Sequence, residues 1–198
     1  ASLVAVLAGL AAPALAQSSA SEVDQIIVTG TRGVQRTVID SPTPIDVVTT
    51  QDLQKSARTD LMAQLNDTIP SFNMPARGAN GTGFVVQTGG LRGVNVDHTL
   101  VLVNGKRRHK TSLINSVSSL YNGSVPADLD HIPTSAIGRV EVLKDGAAAT
   151  YGSDAIAGVV NFITRKNFNG LEVSGDYRLV DGSNGDYKVN AVYGKTFD

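Results

Sequence analysis

The segment from Ile137 to Ile163 restricts the fold more than any other part of this chain. Val140 and Val142 alternate with Arg139 and Glu141, a period of two that an extended strand presents as one apolar and one polar face. Asp145-Gly146 then turns the chain. After the small residues of Tyr151-Gly-Ser-Asp-Ala-Ile-Ala-Gly158, the apolar run Val159, Val160, Phe162 and Ile163 reads as a second strand. The sequence here predicts two strands joined by a glycine-rich, small-residue connection.

The ends of the chain carry different information. Residues 1–16 are uncharged and close on Ala14-Leu-Ala16, a small-x-small cleavage pattern. The stretch is shorter than the roughly 20 apolar residues a membrane-spanning helix needs. It lacks a basic start and an initiator Met, so a truncated export signal over 1–16 is expected. The competing reading, a buried N-terminal helix, is opposed by the poor helix continuation through Gln17-Ser-Ser-Ala-Ser21. A net charge of −1 gives no electrostatic footprint for nucleic acid. Cysteine is absent, which removes disulfides and thiolate metal sites, and 20 glycines without a single Trp suit a turn-rich, strand-containing domain. Beyond the signal, about 180 residues are enough for one core of ordinary size.

From Gln17 to Arg36 the chain reads as a flexible leader. Within it, Ile26, Ile27, Val28 and Thr29 form a β-branched run suited to an extended strand. Such a run is either an edge awaiting a partner chain or the first strand of the domain itself. Ser41-Pro-Thr-Pro44 opens an extended stretch over Ile45–Thr49. Thr49 or Thr50 is placed to cap a short helix from Gln51, and a second helix follows Thr59-Asp60 with Leu61, Met62 and Leu65 on one face. Phe84–Gln87 and Thr99–Val103 read as strands, the latter ending at Asn104-Gly105, a two-residue hairpin signal.

The loops offer little chemistry. Arg77–Gly83 is glycine-rich but lacks the Lys-Ser/Thr ending and the strand–turn–helix context of a phosphate loop. The basic run Lys106-Arg-Arg-His-Lys110 is either a solvated turn or an anion-attracting loop, and Ser112–Gly123 reads as a long polar loop. His98, His109 and His131 have no metal-ligand spacing. Ser124 and Ser153 lie in no nucleophile elbow, and Asp128, Asp130 and Asp154 sit where carboxylates cap turns. No catalytic residue, metal site or cofactor is expected.

After Gly170, Leu171, Val173, Tyr177 and Leu179 alternate with Glu172, Ser174, Asp176 and Arg178. The segment Asp181–Asp186 turns the chain, and Tyr187, Val189, Ala191, Tyr193 and Phe197 continue the apolar set. Two segments of about ten residues with this alternation fit outer-membrane barrel strands. Two such strands cannot stand alone in lipid, because open edges leave backbone groups unpaired.

The Ile137–Ile163 segment, Leu91-Arg-Gly93 and Asp128-Leu-Asp-His-Ile-Pro133 together resemble the plug domain of TonB-dependent outer-membrane receptors. The resemblance runs from about Asp24 to Phe197 and departs mildly at Ser71, where glycine is usual, and at Lys144, often Arg in the family. It implies an α+β fold: a small mixed β-sheet plug with short helices over 37–168, then the first two antiparallel strands of a transmembrane β-barrel over 169–198. Residues 24–30 correspond to the TonB box, with Ile26, Ile27, Val28, Thr29 and Gly30 pairing with TonB and its inner-membrane energising complex. The box lies so close to the expected cleavage point that no extra N-terminal signalling domain is predicted.

The same resemblance implies contacts from Arg92 and Lys144 to carboxylates of the barrel wall. Arg139 and Glu141, solvated in an isolated domain, would need partners once enclosed by a barrel, and are grouped with them as plug–barrel contacts. Arg77, Asn80, Arg107, Arg108 and His109 lie in the loops expected to face the ligand. The implied partners are TonB, outer-membrane lipid and an extracellular nutrient, with no nucleic acid. The implied location is the outer membrane, with the plug inside the barrel lumen and the N-terminus in the periplasm. The implied function is energy-coupled nutrient uptake without enzymatic activity, the nutrient (siderophore, cobalamin, carbohydrate or other) left open. A plug-like ligand-binding or signalling module without transport is the alternative.

Overall fold

The computed structural model describes residues 26–27, 29–30, 36–56, 58, 60–74, 86–115, 121–179, 182 and 185–196. The expected signal over 1–16, Val28 and the Arg77–Gly83 loop lie outside the described residues. Strands β1 (Ile26–Ile27) and β2 (Arg36–Thr37) form a short antiparallel pair. The chain then enters β3 (Ile45–Thr49) and two helices, α1 (Thr50–Lys55) and α2 (Leu61–Thr68).

The helices begin where the sequence predicts. The Thr49 hydroxyl accepts the Asp52 N–H at 3.2 Å, and the Asp52 carboxylate accepts the Thr49 N–H at 3.2 Å, a reciprocal capping box. Asp60 caps α2 by accepting the Ala63 N–H at 3.2 Å. The Lys55 ammonium and the Thr49 hydroxyl hold the Asp52 carboxyl below its usual range. The stabilisation this cap gives is therefore present above the ordinary carboxylate range and is lost as pH falls through the lower, folded-state value. Thr49→Ala is expected to cost about 1 kcal/mol. Faster amide exchange confined to α1 in the full-length protein at neutral pH would measure it.

Strand β4 (Phe72–Asn73) pairs antiparallel with β5 (Gly90–Leu91), a pairing with no sequence signal strong enough to predict it. The strand expected over Phe84–Gln87 does not form in its described part. Val86 and Gln87 are buried but irregular. Gln87 instead donates its N–H to Asp128 Oδ1 at 3.2 Å and accepts the Leu129 N–H at 2.8 Å. Isolated bonds to a loop satisfy its backbone in place of a ladder.

The main sheet adds β6 (Thr99–Val103), β7 (Lys106–Arg107), β8 (Ile137–Leu143) and β9 (Gly158–Thr164), with α3 (Ala147–Tyr151) between the last two. Its order is β3-β8-β9-β6-β7, with β6 and β9 parallel and the other neighbours antiparallel. This is the expected mixed sheet. Asn104 at φ 52° and Gly105 at φ 77° form the left-handed turn that closes the β6–β7 hairpin.

Both faces of the sheet are packed. Val101, Val140, Val142, Val160 and Phe162 lie in one apolar cluster with Leu53, Leu61, Met62 and Leu65 of the helices. Leu100, Leu102, Leu143 and Val159 lie in a second cluster with Ile27, Ile45, Val47 and Ala147. The face carrying Arg139 and Glu141, read from sequence as polar, is covered by the N-terminal segment.

Strands β10 (Gly170–Arg178) and β11 (Asp186–Gly194) form a separate antiparallel hairpin in the register Leu171↔Tyr193, Val173↔Ala191 and Tyr177↔Tyr187. These apolar side chains stay exposed, Val173 at 65% and Tyr187 at 82%. The opposite row turns back toward the helices: Glu172, Ser174 and Lys188 share a crevice with Thr50, Gln54 and Arg58. None of the described helices is long and apolar enough to cross a membrane, a criterion that does not apply to strands.

Candidate functional site

The second apolar cluster brings Ile27, fully buried, onto β3 and β8 and so fixes the path of the residues that follow. Thr29, also fully buried, arrives over the middle of β8 and β9. Its N–H donates to Glu141 Oε2 at 2.9 Å and its hydroxyl donates to the same oxygen at 2.6 Å. Asn161 Nδ2 donates to the Thr29 hydroxyl at 2.8 Å. The next residue, Gly30, donates its N–H to the Tyr151 hydroxyl at 2.9 Å.

Glu141 has no exposed surface, and a carboxylate removed from water is tolerated only when its oxygens are paired. Arg139 supplies the second half of that pairing, donating from Nε to Glu141 Oε1 at 2.9 Å and lying 2.8 Å from it through Nη2. Glu141 and Asn161 are cross-strand partners in the β8–β9 register. The sheet thus sets two polar side chains side by side under the N-terminal segment.

Within the domain, Glu141 is an internal contact: the chain's own Thr29 and Arg139 bond to its two oxygens. Lys144 is paired with Asp46 of β3. Arg92 differs from both. It is exposed, holds a left-handed φ of 58°, and its guanidinium has no ion-pair partner among the described residues. A non-glycine residue kept in that region marks stored backbone strain.

Of the residues expected to face the ligand, Arg107, Arg108 and His109 are described. Arg77 and Asn80 lie outside the described residues. Arg107 turns onto the end of α3, where it pairs with Asp154 at 2.5 Å and donates to the Tyr151 carbonyl. The Arg108 backbone N–H bonds to Val101 at 2.9 Å, and His109 is exposed. Of the predicted TonB-pairing residues, Ile26 and Ile27 are engaged by β2, Thr29 and Gly30 by the buried cluster, and Val28 is not described. No group of His, Cys, Asp or Glu among the described residues is arranged to hold a metal. Sequence reasoning missed Asn161 and Tyr151. Asn161 did carry a signal: it is a lone amide inside the apolar run Val159–Ile163.

Where the hairpin meets the domain, Arg165 donates to Glu172 at 2.7 Å, and Lys188 Nζ lies 3.5 Å from the Thr134 hydroxyl.

Comparison with known proteins places this arrangement. The family model of the TonB-dependent receptor plug domain matches residues 37–159. The siderophore receptor PirA from Acinetobacter baumannii superposes with a TM-score of 0.52 at 29% identity, over 78% of this chain and 22% of its own. The ferric citrate transporter FecA, unliganded, gives 0.55 at 25% identity over 78% of this chain and 23% of its own. A mutant of the ferric enterobactin receptor PfeA from Pseudomonas aeruginosa gives 0.54 at 22% identity, over 84% of this chain and 23% of its own, and shares the fold. The chain spans less than a quarter of each of these structures. These relatives are transport receptors and not enzymes. The mixed sheet, its capped helices and the match over 37–159 together establish that the chain belongs to the TonB-dependent receptor plug family.

Proposed function

We propose that this chain is the gating and coupling part of an outer-membrane receptor for energised uptake of a nutrient, with residues 24–30 as the segment that TonB grips. The observation that carries the reading is the placement of that segment. Ile27, Thr29 and Gly30 lie across the face of the plug sheet but form no strand of it. Apart from the two-residue β1–β2 pair, the segment is held by side chains and not by the ladder of the five-stranded sheet, so it can leave without dismantling that sheet, as a coupling handle must. In this reading 37–168 fills the lumen, and 169–198 begins the wall with its apolar row toward lipid. Arg92 reaches a wall carboxylate supplied by the rest of the barrel. Iron chelates are the first ligand class to test, because PirA and FecA are named for siderophore and ferric citrate.

Proline at Val28 tests the coupling. It leaves the Thr29 N–H in place but removes the N–H of residue 28 and fixes its φ, which breaks strand addition by a partner. Energised uptake by the full-length receptor is expected to fall by at least roughly tenfold, with ligand affinity and outer-membrane level retained. Unchanged uptake would remove the coupling role. A wild-type receptor that binds its ligand but never accumulates it would favour the signalling module instead.

A further inference from the structure

Two side chains that hold the N-terminal segment also hold a second element. Asn161 donates from Nδ2 to the Thr29 hydroxyl at 2.8 Å while its Oδ1 accepts the Gly105 N–H at 3.1 Å. Tyr151 accepts the Gly30 N–H through its hydroxyl at 2.9 Å, while its backbone carbonyl accepts from Arg107 Nη2. Gly105 and Arg107 belong to the same short hairpin, the turn and outer strand of β6–β7. We propose that Asn161 and Tyr151 form a shared clasp, through which the Asn104–Arg107 hairpin sets how firmly Thr29 and Gly30 stay docked.

The chemistry of each link supports a switch between two states rather than a graded contact. The Asn161 amide uses its donor end on the segment and its acceptor end on the hairpin, so rotating it for one partner loses the other. Thr29 donates its hydroxyl proton to Glu141 and accepts from Asn161, so both of its roles are filled. A segment that let go of Glu141 Oε2 while still covering it would leave a buried carboxylate without both Thr29 donors, so partial release is unfavourable. Arg107 grips the last carbonyl turn of α3, where a cation is favoured, and Asp154 fixes its other guanidinium nitrogen at 2.5 Å. Arg107 keeps an exposed side chain, so whatever draws it outward also loosens the residue that holds Gly30.

The inference rests on the reading of residues 24–30 as the coupling segment, and one experiment separates the two. A nitroxide on a cysteine introduced at Ile26 of the full-length receptor, beside docked Ile27, in native outer membranes without ligand, reports docked and released segment as immobile and mobile signals. Wild type is expected to be predominantly immobile. Thr29→Val keeps the shape of the side chain and removes its hydroxyl, and Tyr151→Phe removes only the phenol oxygen. Each is expected to raise the released-to-docked ratio roughly tenfold. Arg107→Ala, which among the described residues reaches the segment through Tyr151, is expected to raise it in the same direction by a smaller factor. The proposal is overturned if Thr29→Val and Tyr151→Phe leave the ratio at the wild-type value, or if Arg107→Ala alone does. Cross-linking to TonB is scored on the same samples. A raised mobile fraction without a TonB adduct keeps the clasp and removes the coupling reading, while an adduct with an unmoved ratio does the reverse.

Discussion

Gly158→Ala is expected to abolish the plug's native packing, although it adds a single methyl. Gly158 opens β9 at φ +135°, and a Cβ there would lie 2.4 Å from the Leu143 carbonyl oxygen and 2.8 Å from Leu91 Cδ1. The first of these atoms is backbone of β8, the central neighbour in the sheet, so relief requires the strands themselves to part. The combined strain and displacement should cost about 3–5 kcal/mol. Amide exchange across 137–164 of the full-length receptor should then quicken by at least roughly a hundredfold. Gly93→Ala is the control. Its φ is +69° but nothing lies within 4 Å of the added Cβ, so only the left-handed penalty of about 1–2 kcal/mol applies. Equal effects at the two sites would show that conformation, not crowding, governs Gly158.

The elements that could be read from sequence share a property: their signals are local. Thr49 and Asp60 cap helices through bonds spanning three residues, and Asn104-Gly105 turns the chain within two. The alternation of β10 and β11 needs only neighbouring residues, and it places Leu171 opposite Tyr193 as expected. The surroundings of Glu141 are not local in this sense. Its alternation with Val140 and Val142 is real, but its environment comes from Thr29, separated by 112 residues. No periodicity reports what folds back over a face. The better indicator was a mismatch of type: Thr29 after three β-branched apolar residues, and Asn161 between Val160 and Phe162. Polar groups placed inside apolar runs require partners, and these two found each other. The β4–β5 pair was illegible for another reason. Its strands are two residues long, so no pattern exists to read.

The hairpin gives the second large prediction, because its two rows face different media in the proposed barrel. The row of Leu171, Val173 and Tyr177 is exposed, whereas Ser174 on the other row lines the crevice shared with Thr50, Gln54 and Lys188. Val173 and Ser174 are adjacent near the centre of the nine-residue β10, so depth is nearly constant and only the face differs. Arginine on a lipid-facing barrel position near the midplane costs about 2–4 kcal/mol. Val173→Arg is therefore expected to lower the folded, heat-modifiable fraction of the full-length receptor in outer membranes by at least roughly tenfold. Ser174→Arg enters a polar crevice lined by Asp176 and Asn190 as well as by Glu172, which already pairs with Arg165, so the new cation keeps polar neighbours. Its cost should stay below about 1 kcal/mol. If Ser174→Arg were the more damaging of the two, the polar row would face lipid, and the placement of the plug against the inner side of this wall would have to be abandoned. If the two were equal, neither row would be in the hydrocarbon layer, and the hairpin would lie beyond the membrane edge. Only an asymmetry in the stated direction is compatible with β10 and β11 as the opening strands of the barrel.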